Sequence, residues 1–254
     1  ESLNTNNSMD LKEKLLSSYI AFENQNSVGN SFVNELRVEA IKNFEATGFP
    51  SKKNENWKYT SLKKILNVDY SLFPESEHTI EYRDVQSYFL GDIDTYKIVF
   101  IDGKYASHLS QTTHEGIDVC LMSSALTQTK YRAVIEYYFS KIAPKDNLAA
   151  LNTAFCNEGA YIHIKKNKVS KRPIQIIHFS TAKESALLLQ PRNLIVVDEN
   201  AHVQVIERHQ SLTENPTLTN SLTEIFANKR ANIDYYKIQN DLELYANALL
   251  INLA

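Results

Sequence analysis

The chain has 254 residues, of which 43% are hydrophobic and 22% charged, with a net charge of −3 at pH 7. This length and composition are sufficient for a buried core in one or two folded domains. The near balance of charge provides no overall positive field for nucleic acid. Because no apolar run reaches the roughly 18 residues of a membrane helix and no secretion leader is recognisable, the sequence predicts a cytoplasmic protein without nucleic-acid or membrane partners.

The polar stretch ESLNTNNS precedes Met9, so residues 1–8 are predicted to be a tag remnant outside the fold. The two cysteines, Cys120 and Cys156, form neither a disulfide framework nor a CxxC motif. Cys156 has apolar neighbours and is predicted to be a buried small hydrophobic residue rather than a reactive thiol or cluster ligand.

Residues 9–150 are predicted to form an N-terminal α/β region. Apolar residues recur every three or four positions from Asp10 to Gln25 and again from Ser31 to Gly48, which indicates two amphipathic helices. In the first helix the residues predicted to be buried are Leu11, Leu15, Tyr19 and Phe22.

The stretch FPSKKNENWKYTSL contains Trp57, the single tryptophan of the chain, among several lysines. Trp57 and Tyr59 alternate with Asn56 and Lys58, so an extended backbone would direct both aromatic rings to one side. The favoured interpretation is a buried plug that joins the helices to the rest of the fold. A surface that binds nucleic acid or anions is the alternative, which Glu55 weakens by interrupting the positive charge.

The stretch YKIVFIDGKYA, residues 96–106, predicts a β-hairpin because Asp-Gly separates two short strand-like runs. The following GIDVCLMSSAL predicts a strand that leads into a helix. A further helix is predicted from Tyr131 to Ile142, with Pro144 as its end.

Residues 151–240 contain paired strand-like runs that recur about every 30 residues, which is typical of a stacked β-solenoid. The runs lie at 161–164, 173–179, 193–197, 202–207, 222–227 and 232–238, and the turns KKNK and DENA carry residues that tolerate left-handed backbone. An antiparallel β-sandwich is the alternative.

The end of the chain, residues 241–254, is predicted to be a C-terminal helix because apolar residues keep a spacing of three to four. The residues in this spacing are Leu242, Tyr245, Leu249 and Leu253. We expect a gap in the sequence near residues 241–245, where the strand pattern stops.

Motifs for dinucleotides, P-loop phosphate binding, serine hydrolysis and zinc proteolysis are absent from the sequence, so no catalytic or cofactor-binding residue is assigned. The charged residues at the strand ends are predicted to be solvated rather than catalytic; they are Asp198, Glu199, Glu207 and Arg208.

Four histidines, His163, His178, His202 and His209, lie in or beside the predicted strands. Neighbouring coils of a solenoid could bring such residues together as ligands for iron or another soft metal. A histidine on a strand is more often a surface or hydrogen-bonded residue, so the sequence leaves the metal ligands unknown.

Several segments together resemble the SufB/SufD family of the SUF iron–sulfur cluster assembly machinery, and SufD members more than SufB members. The segments are GFPSKKNENWKYTSL, LNTAFCNEGAYIHI, RPIQIIHF and PRNLIVVDENAHVQVIERH, and the resemblance extends from about Asn30 to Asn240. It implies a helical N-terminal region, a right-handed parallel β-helix core at residues 151–240 that is incomplete relative to the family, and a C-terminal helical segment. The later coils, with the histidine implicated in assembly, have no counterpart here, so no residue is carried over.

The resemblance also implies a function: a scaffold subunit, not an enzyme, that acts with a SufB-like paralogue and a SufC-like ATPase. A homodimer is the expected alternative for the isolated chain. The isolated chain is expected to bind no cofactor, and an iron–sulfur cluster would lie at an interface shared with partners. A β-solenoid enzyme acting on carbohydrate and a protein-interaction module are the alternatives; an enzyme needs convergent acid and base groups in a groove.

Overall fold

The computed structural model describes residues 9–27, 30–73, 80–183, 185–240 and 248–253. The predicted tag remnant at residues 1–8 lies outside these ranges. No helix in the described ranges is long and apolar enough to cross a bilayer.

The helices lie mainly in the first 155 residues. They are α1 (Leu11–Gln25), α2 (Ser31–Thr47), α3 (Lys63–Leu66), α4 (Tyr82–Val85), α5 (Met122–Thr127), α6 (Arg132–Tyr138) and α7 (Asn147–Phe155). Helix α1 begins after Asp10, whose carboxylate accepts a hydrogen bond from the amide of Glu13 at 2.8 Å. The four predicted residues of α1 are buried, which confirms its amphipathic pattern.

The strands lie between Tyr96 and Leu253, and the first four of them lie among the helices. They are β1 (Tyr96–Ile101), β2 (Lys104–Tyr105), β3 (Thr113–His114), β4 (Ile117–Leu121), β5 (Ala160–Ile164), β6 (Ile174–Ser180), β7 (Leu187–Leu189), β8 (Arg192–Val197), β9 (His202–Ser211), β10 (Thr217–Ala227), β11 (Asn232–Asn240) and β12 (Ala248–Leu253). The predicted hairpin is confirmed: β1 pairs antiparallel with β2, and Asp102 and Gly103 at the turn have φ values of 48° and 79°.

The described strands form two sheets, in the orders β11-β9-β6-β1-β2 and β12-β10-β8-β5-β4-β3. From β5 onward, pairing is parallel: β6 pairs with β9, β9 with β11, β5 with β8, β8 with β10, and β10 with β12. The antiparallel sandwich alternative is therefore wrong. Strands β1 and β4 pair with β6 and β5, so the region 9–150 adds strands to both sheets.

Apolar side chains from both sheets meet in one core cluster, in which Ile98, Ile176 and Val205 from one sheet pack with Ile162 and Ile195 from the other. These residues alternate along their strands with residues that face away from the cluster, as the period of two predicts. The space between the two sheets is therefore the main core of the strand region.

The turns repeat as well. Asn167, Asn200 and Arg230 have φ values of 63°, 58° and 56°, so the predicted left-handed turns at KKNK and DENA are confirmed. The Nε of Arg230 donates to Oδ1 of Asn200, thirty residues earlier, at 2.6 Å. Equivalent turns thus lie beside one another in successive repeats.

The predicted aromatic plug at residues 49–62 is wrong in its main features. Trp57 is only half-buried and Tyr59 is 90% exposed. Residues Glu55–Trp57 form a 3₁₀ turn, and this turn replaces the extended backbone that would have placed both rings on one side. Leu62 is buried, and Phe49 at the start of this segment packs edge-on against Phe44.

Two helix predictions also require correction. Helix α6 ends at Tyr138 rather than Ile142, because Phe139 is extended and Ser140 has a φ of 61°. Helix α7 was not predicted; Asp146 caps it by accepting a hydrogen bond from the amide of Ala149 at 2.8 Å.

The predicted C-terminal helix is wrong for residues 248–253, which form β12. This strand pairs in parallel with β10, with Leu218 beside Ala248 and Thr223 beside Leu253. A short apolar run fits helical and strand periods alike, and here the pairing with a neighbouring strand determines the outcome. Residues 241–247 and the expected gap near 241–245 lie outside the described residues.

Candidate metal centre

His178, Glu207 and His209 form a buried cluster between the two sheets. Each residue offers a ligand atom, and these atoms all lie within 4.8 Å of one another. Imidazole nitrogen and carboxylate oxygen are common ligands of divalent transition metals. The cluster is therefore a candidate metal centre within the described part of the chain.

The strand register explains why these three side chains meet. Along β9, the side chains of Val203, Val205, Glu207 and His209 point to the same side, because successive residues of a strand alternate between faces. His178 of β6 lies directly beside His209 in the parallel register. The apolar core between the sheets therefore changes into a polar layer at this point.

The two histidine rings stack on each other. Their centroids are 4.7 Å apart and their planes differ by 12°. On its other side His178 stacks on Phe100, with a centroid distance of 4.9 Å. The Nε2 of His178 is buried and has no hydrogen-bond partner among the described residues.

Glu207 is fully buried and is surrounded by donors. Its Oε1 lies 2.8 Å from Nε2 of His209 and 3.2 Å from Nζ of Lys237, and its Oε2 accepts a hydrogen bond from the hydroxyl of Tyr235. Asn193 contributes a longer contact of 3.4 Å to Oε1. This carboxylate is therefore held as an anion inside the protein.

The pKa shifts of His178 and Glu207 have different causes. Burial lowers the pKa of His178 well below its usual range, and the neighbouring His209 acts in the same direction. Burial opposes ionisation of Glu207, but the hydrogen bond and charge of His209 and the charge of Lys237 still hold the pKa of Glu207 below its usual range. His178 is therefore a neutral imidazole beside a carboxylate anion.

A cavity of about 460 Å³ reaches this layer, since His178 is one of its lining residues. Phe22, Phe155 and Leu188 contribute apolar walls, and Glu158 is another polar lining residue. Oε2 of Glu158 is buried without a hydrogen-bond partner among the described residues, and burial raises the pKa of Glu158 to about 7. The cavity thus connects the histidine layer with the helical side of the molecule.

Of the four histidines considered from the sequence, only His178 and His209 belong to the described cluster. His163 lies on the other face of β5, where its Nε2 is 2.8 Å from Oδ2 of Asp198. His202 lies at a strand start, 3.9 Å from Asp234, with a side chain that is 36% exposed. Among the described residues, neither of these two histidines belongs to a group of potential metal ligands.

Cys120 and Cys156 are both free and buried, as predicted for Cys156. They belong to a common apolar core cluster and not to the histidine cluster. Burial raises the pKa of Cys120 to about 11, so its thiol stays protonated and is a poor metal ligand.

The sequence prediction that Glu207 is solvated is wrong, because its side chain is 0% exposed. The signal for its true position was the alternation in β9, where Val203 and Val205 mark the inward face and place Glu207 on it. Lys237 and Tyr235 were missed for the same reason; they occupy the corresponding positions of β11, where Lys237 lies directly beside Glu207.

The sequence matches two family models that together cover most of the chain. Residues 9–176 match the SufBD protein N-terminal region, and residues 178–250 match the SufBD core domain of SUF system FeS cluster assembly. The division between the matched regions falls within β6, beside His178.

Individual relatives show the same similarity. The chain is 26% identical to the iron–sulfur cluster assembly protein SufD of Escherichia coli over 195 residues, which cover 76% of this chain and 43% of the relative. It is 24% identical to SufD of Bacillus subtilis over 221 residues, covering 83% and 49%, and 23% identical to a SufBD family protein of Synechocystis over 201 residues, covering 76% and 44%. The matched segment spans less than half of each of these relatives. Because the two family models cover most of its residues, the chain belongs to the SufBD family of iron–sulfur cluster assembly proteins.

Proposed function

We propose that this chain is a scaffold subunit of iron–sulfur cluster assembly, without an enzymatic activity of its own, that works with a SufB-like paralogue and a SufC-like ATPase. The observation that carries the proposal is the match of residues 9–176 and 178–250 to the SufBD family models. Two free, buried cysteines are compatible with a reducing compartment, and the proposed location is the cytoplasm.

The proposed architecture of the strand region is a right-handed parallel β-helix. Supporting it, strands β5, β6, β8, β9, β10 and β11 alternate between the two sheets, and each pairs in parallel with the next strand of its own sheet. The repeated left-handed turns, stacked thirty residues apart at Asn200 and Arg230, support the same arrangement. An experimental structure with left-handed crossovers would contradict it.

The proposed roles of this chain and of its partners follow from the motifs and the cysteines in its sequence. ATP hydrolysis needs a phosphate-binding loop with Lys and Ser or Thr, and the sequence has no such motif, so the energy would come from the ATPase partner. An iron–sulfur cluster is commonly held by several thiolates, sometimes with imidazoles. Cys120 and Cys156 are buried in apolar surroundings, so a cluster in assembly would need donors from a partner at a shared interface.

Co-purification from the native host tests this proposal. A tagged native protein should bring down a SufB-like paralogue and a SufC-like ATPase, and the isolated chain should show neither ATP hydrolysis nor stoichiometric iron–sulfur cluster. Both properties should appear when the three proteins are combined. Strong ATPase activity in the isolated chain, or a pull-down without either partner, would contradict the proposed role.

A further inference from the structure

Among the three potential ligands His178, Glu207 and His209, His178 is the one whose burial the contacts of the described residues do not explain. The Glu207 carboxylate already has Lys237 and Tyr235 as partners, and His209 has Glu207. His178 is 7% exposed and its Nε2 has no hydrogen-bond partner among the described residues. A buried nitrogen without a hydrogen-bond partner destabilises the folded state, so a ligand that binds this nitrogen would stabilise the protein.

A metal ion would engage all three side chains at once. Oε1 of Glu207 and Nε2 of His209 are 2.8 Å apart, and the ligand atom of His178 lies within 4.8 Å of both. Metal–nitrogen and metal–oxygen bonds of about 2.0–2.2 Å would require the stacked rings to tilt towards each other. The proton between His209 and Glu207 would be released to solvent as the metal binds. The cavity lined by His178 offers a route of entry from the helical side.

We propose that His178, Glu207 and His209 form a binding site for one divalent transition metal ion, with two imidazole nitrogens and one carboxylate oxygen as protein ligands. This donor set suits Fe²⁺, Zn²⁺ and Co²⁺, whereas Mg²⁺ and Ca²⁺ prefer sites built from oxygen. The inference rests on the geometry of the cluster and does not depend on the proposed role in iron–sulfur assembly.

Lys237 is a positive charge that would compete with a bound metal ion for Glu207. Its Nζ is 3.2 Å from Oε1 of Glu207, so it neutralises the carboxylate when no metal is present and repels a cation that enters. A bound metal would therefore compete with Lys237 for Glu207. Replacing Lys237 with an uncharged residue of similar length should strengthen metal binding.

Titration of the metal-free full chain with Co²⁺ under anaerobic conditions tests the proposal, because Co²⁺ gives visible absorption when nitrogen ligands bind it. We expect one Co²⁺ per chain, displacement by Zn²⁺, weaker competition from Fe²⁺, no displacement by Mg²⁺, and a raised Tm with bound Co²⁺. His178→Gln and His209→Gln should each weaken binding by about tenfold or more. His163→Gln is the matched control, since His163 is also a buried histidine beside a carboxylate.

Lys237→Met decides the question if the histidine variants fail to fold. It should bind Co²⁺ about tenfold more tightly than the parent chain, because the competing charge is removed. Absence of Co²⁺ absorption in the parent chain would overturn the proposal. Unchanged affinity in Lys237→Met, or an equal loss in His163→Gln, would also overturn it.

Discussion

Arg192 and Glu224 form an ion pair in which both side chains are 0% exposed, with 2.7 Å between Nη2 and Oε1. The pair joins adjacent strands β8 and β10, and the guanidinium also lies over the ring of Phe139 at 4.5 Å from its centroid. Glu224 accepts further hydrogen bonds from the amides of Ser140 and Ile142, at 2.8 and 3.2 Å. This carboxylate therefore connects the sheet to the segment that follows α6.

Removing Glu224 should destabilise the protein strongly. Glu224→Ala leaves the Arg192 charge buried without its counterion, and we expect the free energy of unfolding to fall by about 3–5 kcal/mol. The matched control is Glu199→Ala, which breaks two surface pairs of similar length, with Lys166 at 2.7 Å and with Arg230 at 2.9 Å. The control should lose much less than Glu224→Ala, because solvent screens an exposed ion pair. Urea denaturation measures both, and similar losses would contradict this account of the buried pair.

Truncating Trp57 should have a modest effect because the indole is only half-buried beside Asn147 and Leu148. We expect Trp57→Ala to lower the free energy of unfolding by about 1–2 kcal/mol, which is less than the 3–5 kcal/mol typical of a fully buried aromatic residue. Phe44→Ala is the control, since Phe44 is 0% exposed and packs edge-on against Phe49 at 5.2 Å. Equal losses in thermal or urea unfolding would show that Trp57 contributes as a core residue.

Local signals in the sequence predicted the secondary structure of most of the chain. The Asp-Gly turn at Asp102 and the strand-like runs at 173–179 and 202–207 depend on neighbouring residues, and both led to correct assignments. The choice between parallel and antiparallel pairing depends on contacts between residues about 30 positions apart, which local patterns do not determine. The same limit explains why residues 248–253 were predicted to be helical.

The candidate site was only partly predictable. The sequence suggested that histidines on neighbouring strands could meet, and the structure brings His178 and His209 together while His163 and His202 lie elsewhere. Which pair meets depends on strand register, a property of the folded chain. Glu207 was missed because its charge suggested solvent, although its position two residues after Val205 indicated the inward face.

Gly159 should be intolerant of any side chain. Its φ is 147°, a conformation that favours glycine, and a Cβ built at this position would lie 1.9 Å from the carbonyl oxygen of Arg192. We expect Gly159→Ala to lower the free energy of unfolding by about 2–5 kcal/mol, from backbone strain and from the displaced strand. Gly91→Ala is the control, because no atom lies within 4 Å of its added Cβ. A Gly159→Ala protein that melts like the control would contradict this close approach.

Glu158 should make stability depend on pH in a direction opposite to that of most carboxylates. Burial raises its pKa from 4.5 to about 7, and a hydrogen bond with Ser123 opposes this shift. Between these two pKa values the folded chain retains a proton that the unfolded chain releases, so the stability associated with this proton falls as the pH rises. The decrease begins near the unfolded pKa and is complete above the folded one.

Glu158→Gln removes this titration while it retains the size of the side chain. We expect the variant to gain about 1–3 kcal/mol relative to the parent chain between about pH 5 and about pH 8, measured as the difference in urea unfolding free energy. Glu199→Gln is the control. The hydrogen bond and charge of Lys166 lower the pKa of Glu199, so Glu199 is ionised across this range and its replacement should leave the pH dependence unchanged. If the parent chain and the Glu158→Gln variant show the same pH dependence, Glu158 is ionised in the folded protein between about pH 5 and about pH 8. Its carboxylate would then add a negative charge to the cavity beside His178 throughout this range.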